Sequence, residues 1–244
     1  MENRLNILGV GVDNCTMNSA TDFLVSSMDT EGLTSVYTPN SEIILHAYKN
    51  PDYCEILNRG SLITADGIGV VYASKILGQA LPERVSGFDL ANKLLERSAP
   101  LGKTLYLFGG KPGVAEKAAE KIVSIHPGIN IVGVSDGYFD AEKEKTIIAD
   151  INEKSPDILF VCLGFPKQEC WIDAHRDLKT KVAMGIGGSL DVFAGEVKRA
   201  PVFFQKAGLE WFYRLIKQPS RFIRMLALPK FGLTVLFHGK KFLK

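Results

Sequence analysis

No stretch of this chain approaches the roughly 20 consecutive apolar residues that cross a bilayer, so no membrane span is expected. Cysteine is scarce and scattered. Cys15, Cys54, Cys162 and Cys170 form no CxxC pair and no metal-ligand spacing, and Cys162 falls inside an apolar run, where a buried free thiol is the default. That usage suits a reduced, cytosolic compartment. The four histidines (His46, His126, His175, His238) have no ligand spacing either. GxxxxGK[ST] is absent, which argues against a P-loop. Gly109, Gly110 and Gly113 of LFGGKPG miss the GxGxxG pattern, and no acidic strand end follows them, which argues against a nicotinamide-dependent dehydrogenase. No Asp-x-Asp is present to hold a divalent ion on a nucleotide diphosphate, so phosphate chemistry would fall to Arg, Lys and backbone donors. MENRLNILGVGVD lacks a long apolar segment and a small-residue cleavage site, so no signal peptide is expected. Repeats and low-complexity linkers are also missing.

What is present is organised around Asp157 to Arg199. There DILFVCLG and KVAMGIGG, two apolar runs closing on glycine, flank PKQECWIDAHRDL. Runs of this kind suit strands buried on both faces of a parallel sheet, and the segment between them suits a crossover helix. Glycine at the strand ends admits a ligand to backbone N–H groups, or else simply makes tight turns. The rest of the chain follows the same alternation. LNILGVGVD reads as a strand and Thr16 to Met28 as a helix. TSVYTPN is a strand leading into SEIILHAYKN, a helix with Ser41 or Asn40 as N-cap. SLITADG is a strand, GIGVVYASKILG and FDLANKLLERSA are helices, and TLYLFGG is a strand. PGVAEKAAEKIVSIH is a helix presenting Val114, Ala118, Ile122 and Ile125 on one face. NIVGVSDG and AEKEKTIIADINEK complete the pattern. The expected fold class is α/β: a Rossmann-like, mostly parallel, doubly wound sheet with a basic amphipathic helical C-terminal appendage. The expected division is 1–200 for the α/β body and 201–244 for the appendage.

Charge separates the same two regions. Residues 1–205 carry 20 Lys and Arg against 26 Asp and Glu, a net −6, whereas residues 206–244 carry nine basic side chains against Glu210 alone, a net +8. Large apolar residues are interleaved with that positive charge. This suits a membrane interface better than a nucleic-acid arm, with an ordinary packed helix pair as the bland alternative. Pro219 and Pro229 are expected to cut the segment into short helices.

Asp66 is the most suggestive carboxylate. It closes an apolar strand before Gly67, where an aspartate serves either as a general base in a cleft or as the N-cap of the next helix.

Six blocks then carry a resemblance: YTPNSEI, ITADGIGVVYASK, LPERVSGFDL, LGFPKQECWI, GIGGSLDVFAGEVKRAP and GLEWFYRLIKQPSRFIRM. Together they resemble the WecG/TagA/CpsF glycosyltransferases, glycosyltransferase family 26, and most closely its TagA branch. The resemblance implies inverting transfer of N-acetylmannosamine from UDP to undecaprenyl-diphosphate-linked N-acetylglucosamine, early in wall teichoic acid synthesis. Relatives that transfer N-acetylmannosaminuronic acid or glucose leave the donor sugar open. It further implies Asp66 as the base, Thr38, Asn40, Arg84 and Gln168 at the donor pocket, and Asp191 and Tyr138 toward the uridine. Arg214, Arg221 and Arg224 would meet the acceptor diphosphate at the membrane. No cofactor, no metal and no nucleic acid is implied. The expected place is the cytoplasmic side of the cell membrane, peripherally bound. A non-catalytic lipid-binding protein is the third reading, and homo-oligomerisation stays open.

Overall fold

The apolar runs form the strands of a parallel sheet. The computed structural model describes residues 4–206, 208–217 and 226–243. Its main sheet has six strands: β3 (Thr34–Tyr37), β4 (Leu62–Ile63), β5 (Thr104–Gly109), β6 (Asn130–Ser135), β7 (Ile158–Cys162) and β8 (Val182–Gly185). They lie in the order β4-β3-β8-β7-β5-β6, and every neighbouring pair is parallel.

Alternate strand residues face opposite sides and build two separate cores. Val36, Leu62, Leu105, Leu107, Phe160 and Met184 pack on one side, against α1 (Met17–Ser27), α5 (Gly87–Ser98), α6 (Val114–Ile125) and α9 (Ser189–Phe193). Tyr37, Ile63, Tyr106, Phe108, Leu159 and Ala183 pack on the other. There they meet α2 (Ser41–Lys49), α3 (Pro51–Asn58), α4 (Ile68–Ile76), α7 (Ala141–Lys154) and α8 (Lys167–Ala174). The result is a doubly wound α/β/α sandwich, as expected. The central strands β7 and β8 are buried along their whole length, which is why their sequences are unbroken apolar runs rather than alternating ones.

Three local expectations are corrected. LNILGVGVD is an antiparallel hairpin, β1 (Arg4–Ile7) and β2 (Val10–Asp13), outside the main sheet. Its turn is made by Leu8 and Gly9, both at positive φ (54° and 98°), which matches the twist of a two-residue hairpin. Ile125 is 64% exposed although Val114, Ala118 and Ile122 are buried, because it is the last residue of α6 and lies beyond the packed part of that helix. Pro229 does not divide the C-terminal segment. It sits in the first turn of α12 (Ala227–His238), where a missing N–H costs no helical bond. Pro219 lies outside the described residues.

Two further helices, α10 (Val202–Lys206) and α11 (Glu210–Lys217), precede α12. Helix α12 rests against α2 and α4 and places Phe231 and Val235 in the core.

Candidate functional site

The carboxyl ends of the six parallel strands share one edge, and the glycine-rich loops leave from it. At the β3–β4 end, Thr38, Asn40 and Asp66 come together. The Thr64 N–H donates to the Tyr37 carbonyl (2.9 Å), and the Asp66 N–H to the Pro39 carbonyl (3.1 Å), so the two strand ends advance side by side into their helices. Asn40 is the N-cap of α2, its Oδ1 accepting from the N–H groups of Glu42 (2.9 Å) and Ile43 (3.1 Å). With that oxygen committed, its Nδ2 amide is the group left to meet a ligand. Thr38 is buried against Gly87 and its Oγ1 lies 3.5 Å from the Gly185 carbonyl, so it bridges β3, β8 and the start of α5.

Asp66 does not hold the N-cap position of α4. Gly67 does, at φ 102°, ψ 141°, a conformation for which only glycine is suited, and it makes no side-chain cap bond. The glycine therefore sets the turn and leaves Asp66 half-buried one residue earlier, at the sheet edge.

Arg84 belongs to the same end of the edge. Val85, its neighbour, donates to the carbonyl of Ala65 (3.0 Å), the neighbour of Asp66. Its guanidinium lies between the carboxylates of Glu210 (3.2 Å) and Asp89 (3.3 Å).

Gln168 occupies the middle of the edge, buried in the first turn of α8. Its Oε1 accepts from the Gly187 N–H (2.9 Å) and its Nε2 donates to Glu169 Oε1 (2.8 Å). The side chain thus braces the Gly187–Gly188 loop. Glu169 is itself 2% exposed and accepts a second bond from the Tyr53 hydroxyl (3.1 Å). Burial pushes the Glu169 carboxyl above its usual range, and the bonds from Gln168 and Tyr53 offset this only in part.

The other two residues lie further along the edge, Asp191 beside the ends of β7 and β8 and Tyr138 beyond β6. Asp191 lies in the first turn of α9, beside the buried Cys162, whose thiol is pushed up first by burial and then by the Asp191 charge. Tyr138 is 63% exposed, but its backbone is fixed: its N–H donates to Asp136 (2.8 Å) and its carbonyl accepts from Lys143 (2.9 Å). Gly137 joins this loop to Gly110 (2.9 Å), and Gly110 packs on Leu190, next to Asp191. The edge therefore has a carboxylate-and-amide pole at β3–β4, the braced glycine loop with Asp191 beside it in the middle, and the Tyr138 loop at β5–β6.

Arg214 lies in α11, its side chain outside the described part, and Arg221 and Arg224 lie outside the described residues altogether. Among the described residues, no three His, Cys, Asp or Glu side chains converge as a metal site would require, and no helix is long and apolar enough to cross a membrane.

Glu169, Asp89, Arg199 and Glu210 are absent from the sequence-based set. A visible signal existed for one of them: Glu210 is the lone acid in a strongly basic segment.

Comparison with known proteins follows the same outline. Residues 5–243 match the family model described as the glycosyl transferase WecG/TagA/CpsF family. The chain is 42% identical over 207 residues to a protein of Bacillus spizizenii (strain W23), covering 84% of this chain and 79% of that one. A protein of Bacillus subtilis (strain 168) is 41% identical, with 93% and 89% covered. One of Staphylococcus aureus (strain MRSA252) is 37% identical, with 93% and 90% covered. All three are named N-acetylglucosaminyldiphosphoundecaprenol N-acetyl-beta-D-mannosaminyltransferase.

Proposed function

The chain belongs to the WecG/TagA/CpsF glycosyltransferase family, and we propose that it transfers N-acetylmannosamine from UDP to undecaprenyl-diphosphate-linked N-acetylglucosamine, with inversion at the anomeric carbon, early in wall teichoic acid synthesis. The observation that carries the mechanism is the convergence of Thr38, Asn40 and Asp66 at one end of a cleft along the strand carboxyl ends, where α/β sheets bind their ligands. Inversion needs a base on the face opposite the departing UDP. Asp66 takes the proton from the acceptor hydroxyl as that oxygen attacks the anomeric carbon and the bond to UDP breaks. Thr38 and the Asn40 amide orient the sugar, while Gln168, through its bond from the Gly187 N–H, holds the Gly187–Gly188 loop in place beneath the diphosphate. Asp191 and the exposed Tyr138 ring receive the uridine. Arg84 offsets the charge that develops on the leaving diphosphate, a role suited to a permanently charged, forked donor.

Residues 201–244 are the membrane- and acceptor-binding appendage of the 1–200 body, with Arg214, Arg221 and Arg224 on the acceptor diphosphate. The protein then works peripherally at the inner face of the cell membrane. No metal takes part: turnover is expected to persist in EDTA, and loss on chelation with recovery in Mg²⁺ or Mn²⁺ would refute this.

The deciding experiment incubates a lipid-linked N-acetylglucosamine acceptor with UDP-N-acetylmannosamine, UDP-N-acetylmannosaminuronic acid and UDP-glucose separately, with products read by mass spectrometry. Addition of one N-acetylhexosamine from the first donor alone is expected. Transfer from another donor would reassign the sugar, and no transfer from any donor would refute the enzyme reading.

A further inference from the structure

Four charged side chains, Arg84 and Asp89 from one stretch of chain and Arg199 and Glu210 from another, meet beside the β3–β4 end of the edge. Arg199 makes a two-pronged contact with Asp89 (2.6 and 2.8 Å), the Ser86 hydroxyl donates to the same carboxylate (2.5 Å), and the Arg199 guanidinium lies 4.7 Å from the centre of the Phe88 ring. Glu210, the first residue of α11, gives one oxygen to Arg84 (3.2 Å) and the other to Arg199 (3.4 Å). Arg84 closes the ring on Asp89 (3.3 Å). Cations and anions alternate and the group is neutral. Burial pushes the Asp89 carboxyl up, but Arg199, Ser86 and Arg84 outweigh it and hold the group below its usual range.

The two halves of this clasp differ. The Asp89–Arg199 half joins two parts of the body through short contacts. The Glu210 half joins the body to the C-terminal helices through longer ones, although Glu210 is only 12% exposed in its side chain. The clasp also stands beside Asp66 by two routes. Val85, next to Arg84, bonds to Ala65, and Gly208, two residues before Glu210, sits against Ile68 in the first turn of α4.

We propose that Asp89, Arg199 and Glu210 are positioning residues for transfer: they fix Arg84 beside Asp66 and set the register of α11 on the body, so that the donor cleft and the C-terminal helices align as one unit. The inference rests on the donor-site reading of the cleft. Its logic is that removing one member leaves a half-buried charge without its counterpart, so the remaining members move.

The test uses the full chain with Glu210→Gln, Arg199→Lys, the double variant and, alongside, Asp66→Asn. UDP affinity, melting temperature, and kcat and KM with a lipid-linked acceptor are measured for each. Glu210→Gln is expected to lower kcat about tenfold, the scale of coupling between groups of one network, with UDP affinity within twofold of wild type. Arg199→Lys keeps the charge but loses the fork, so it is expected not to rescue kcat, and the double variant is expected to be little worse than either single one. A purely structural role would lower the melting temperature while sparing kcat, and would let lysine replace Arg199. Wild-type kcat in Glu210→Gln, or multiplicative losses in the double variant, would overturn the clasp. Asp66→Asn reports on the cleft separately: an inactive Asp66→Asn beside a fully active Glu210→Gln removes the clasp alone, whereas an active Asp66→Asn removes the assignment of the base while the clasp is still judged on Glu210→Gln and Arg199→Lys.

Discussion

Strand β7 and helix α12 are both dominated by apolar side chains, and the fold treats them differently. Every residue of Ile158–Cys162 is buried, whereas α12 buries Phe231 and Val235 and leaves Leu233, Leu236 and Phe237 at 55%, 57% and 76% exposed. Trp211, Phe212 and Ile216 of α11 are exposed as well. In the body, apolar content is consumed by the two cores flanking the sheet. In the C-terminal helices it exceeds what the body can cover, and it stands among Lys230, Lys240 and Lys241. Exposed apolar area combined with positive charge favours an anionic lipid surface, because the two attractions add. On the proposed function the contrast divides the labour: chemistry at the strand ends, access to a lipid-linked acceptor at the helices.

The largest expected effect tests the body's share. Asp66→Asn removes the proposed base while keeping the side chain's size, and turnover is expected to fall by about a hundredfold or more. UDP binding and vesicle association should stay as in wild type. Turnover near the wild-type rate in the folded variant would remove Asp66 from the mechanism.

Two phenylalanines of α12 sharpen the contrast within a single helix. Phe231 is 2% exposed and Phe237 76%. Phe231→Ala is expected to cost about 3 kcal/mol or more of stability, as for other buried aromatic truncations, whereas Phe237→Ser should leave the unfolding midpoint in urea nearly unchanged. Equal losses at the two positions would show that the structure misplaces this helix. The same burial bears on truncation: a chain ending near Ala200 would uncover the faces of α2 and α4 that α12 protects.

The smallest expected effect concerns Glu169. Its carboxyl is raised from 4.5 by burial, so the native state keeps a proton that the unfolded chain releases. The native state then binds more protons than the unfolded one between the ordinary and the raised value, and the contribution of Glu169 to stability falls as pH rises through that window. Glu169→Gln abolishes this loss, so its melting temperature relative to wild type should improve as pH rises through and above the ordinary carboxylate range. A difference that stays constant or reverses over that range would contradict a buried, proton-holding Glu169.

Much of this architecture is legible in the residues. The unbroken runs DILFVCLG and KVAMGIGG announce doubly buried strands, and the helix expected from Thr16 to Met28 has those two residues as its N-cap and C-cap. The sequence offers Ser41 or Asn40 as the cap of α2, and the structure gives that place to Asn40. The strand order was not legible, since placing β8 between β3 and β7 depends on pairings between residues far apart in the chain. The hairpin was missed because Leu8–Gly9 lacks the usual asparagine or aspartate of a tight turn. The Asp89–Arg199–Glu210 clasp was missed for a related reason. Glu210 stands out as the lone acid of a basic segment, but Asp89 and Arg199 look like ordinary surface charges until tertiary packing brings them to it.

The division of labour is tested most directly by pairing two variants in one assay. Asp66→Asn and a Leu236→Ser/Phe237→Ser double variant are mixed with vesicles containing anionic lipid and the lipid-linked acceptor, and sedimentation and transfer are read on the same samples. The account predicts opposite failures: Asp66→Asn sediments with the vesicles but transfers about a hundredfold or more slowly, while the helix variant binds UDP, remains in the supernatant and transfers poorly. A helix variant that sediments and transfers like wild type would contradict it.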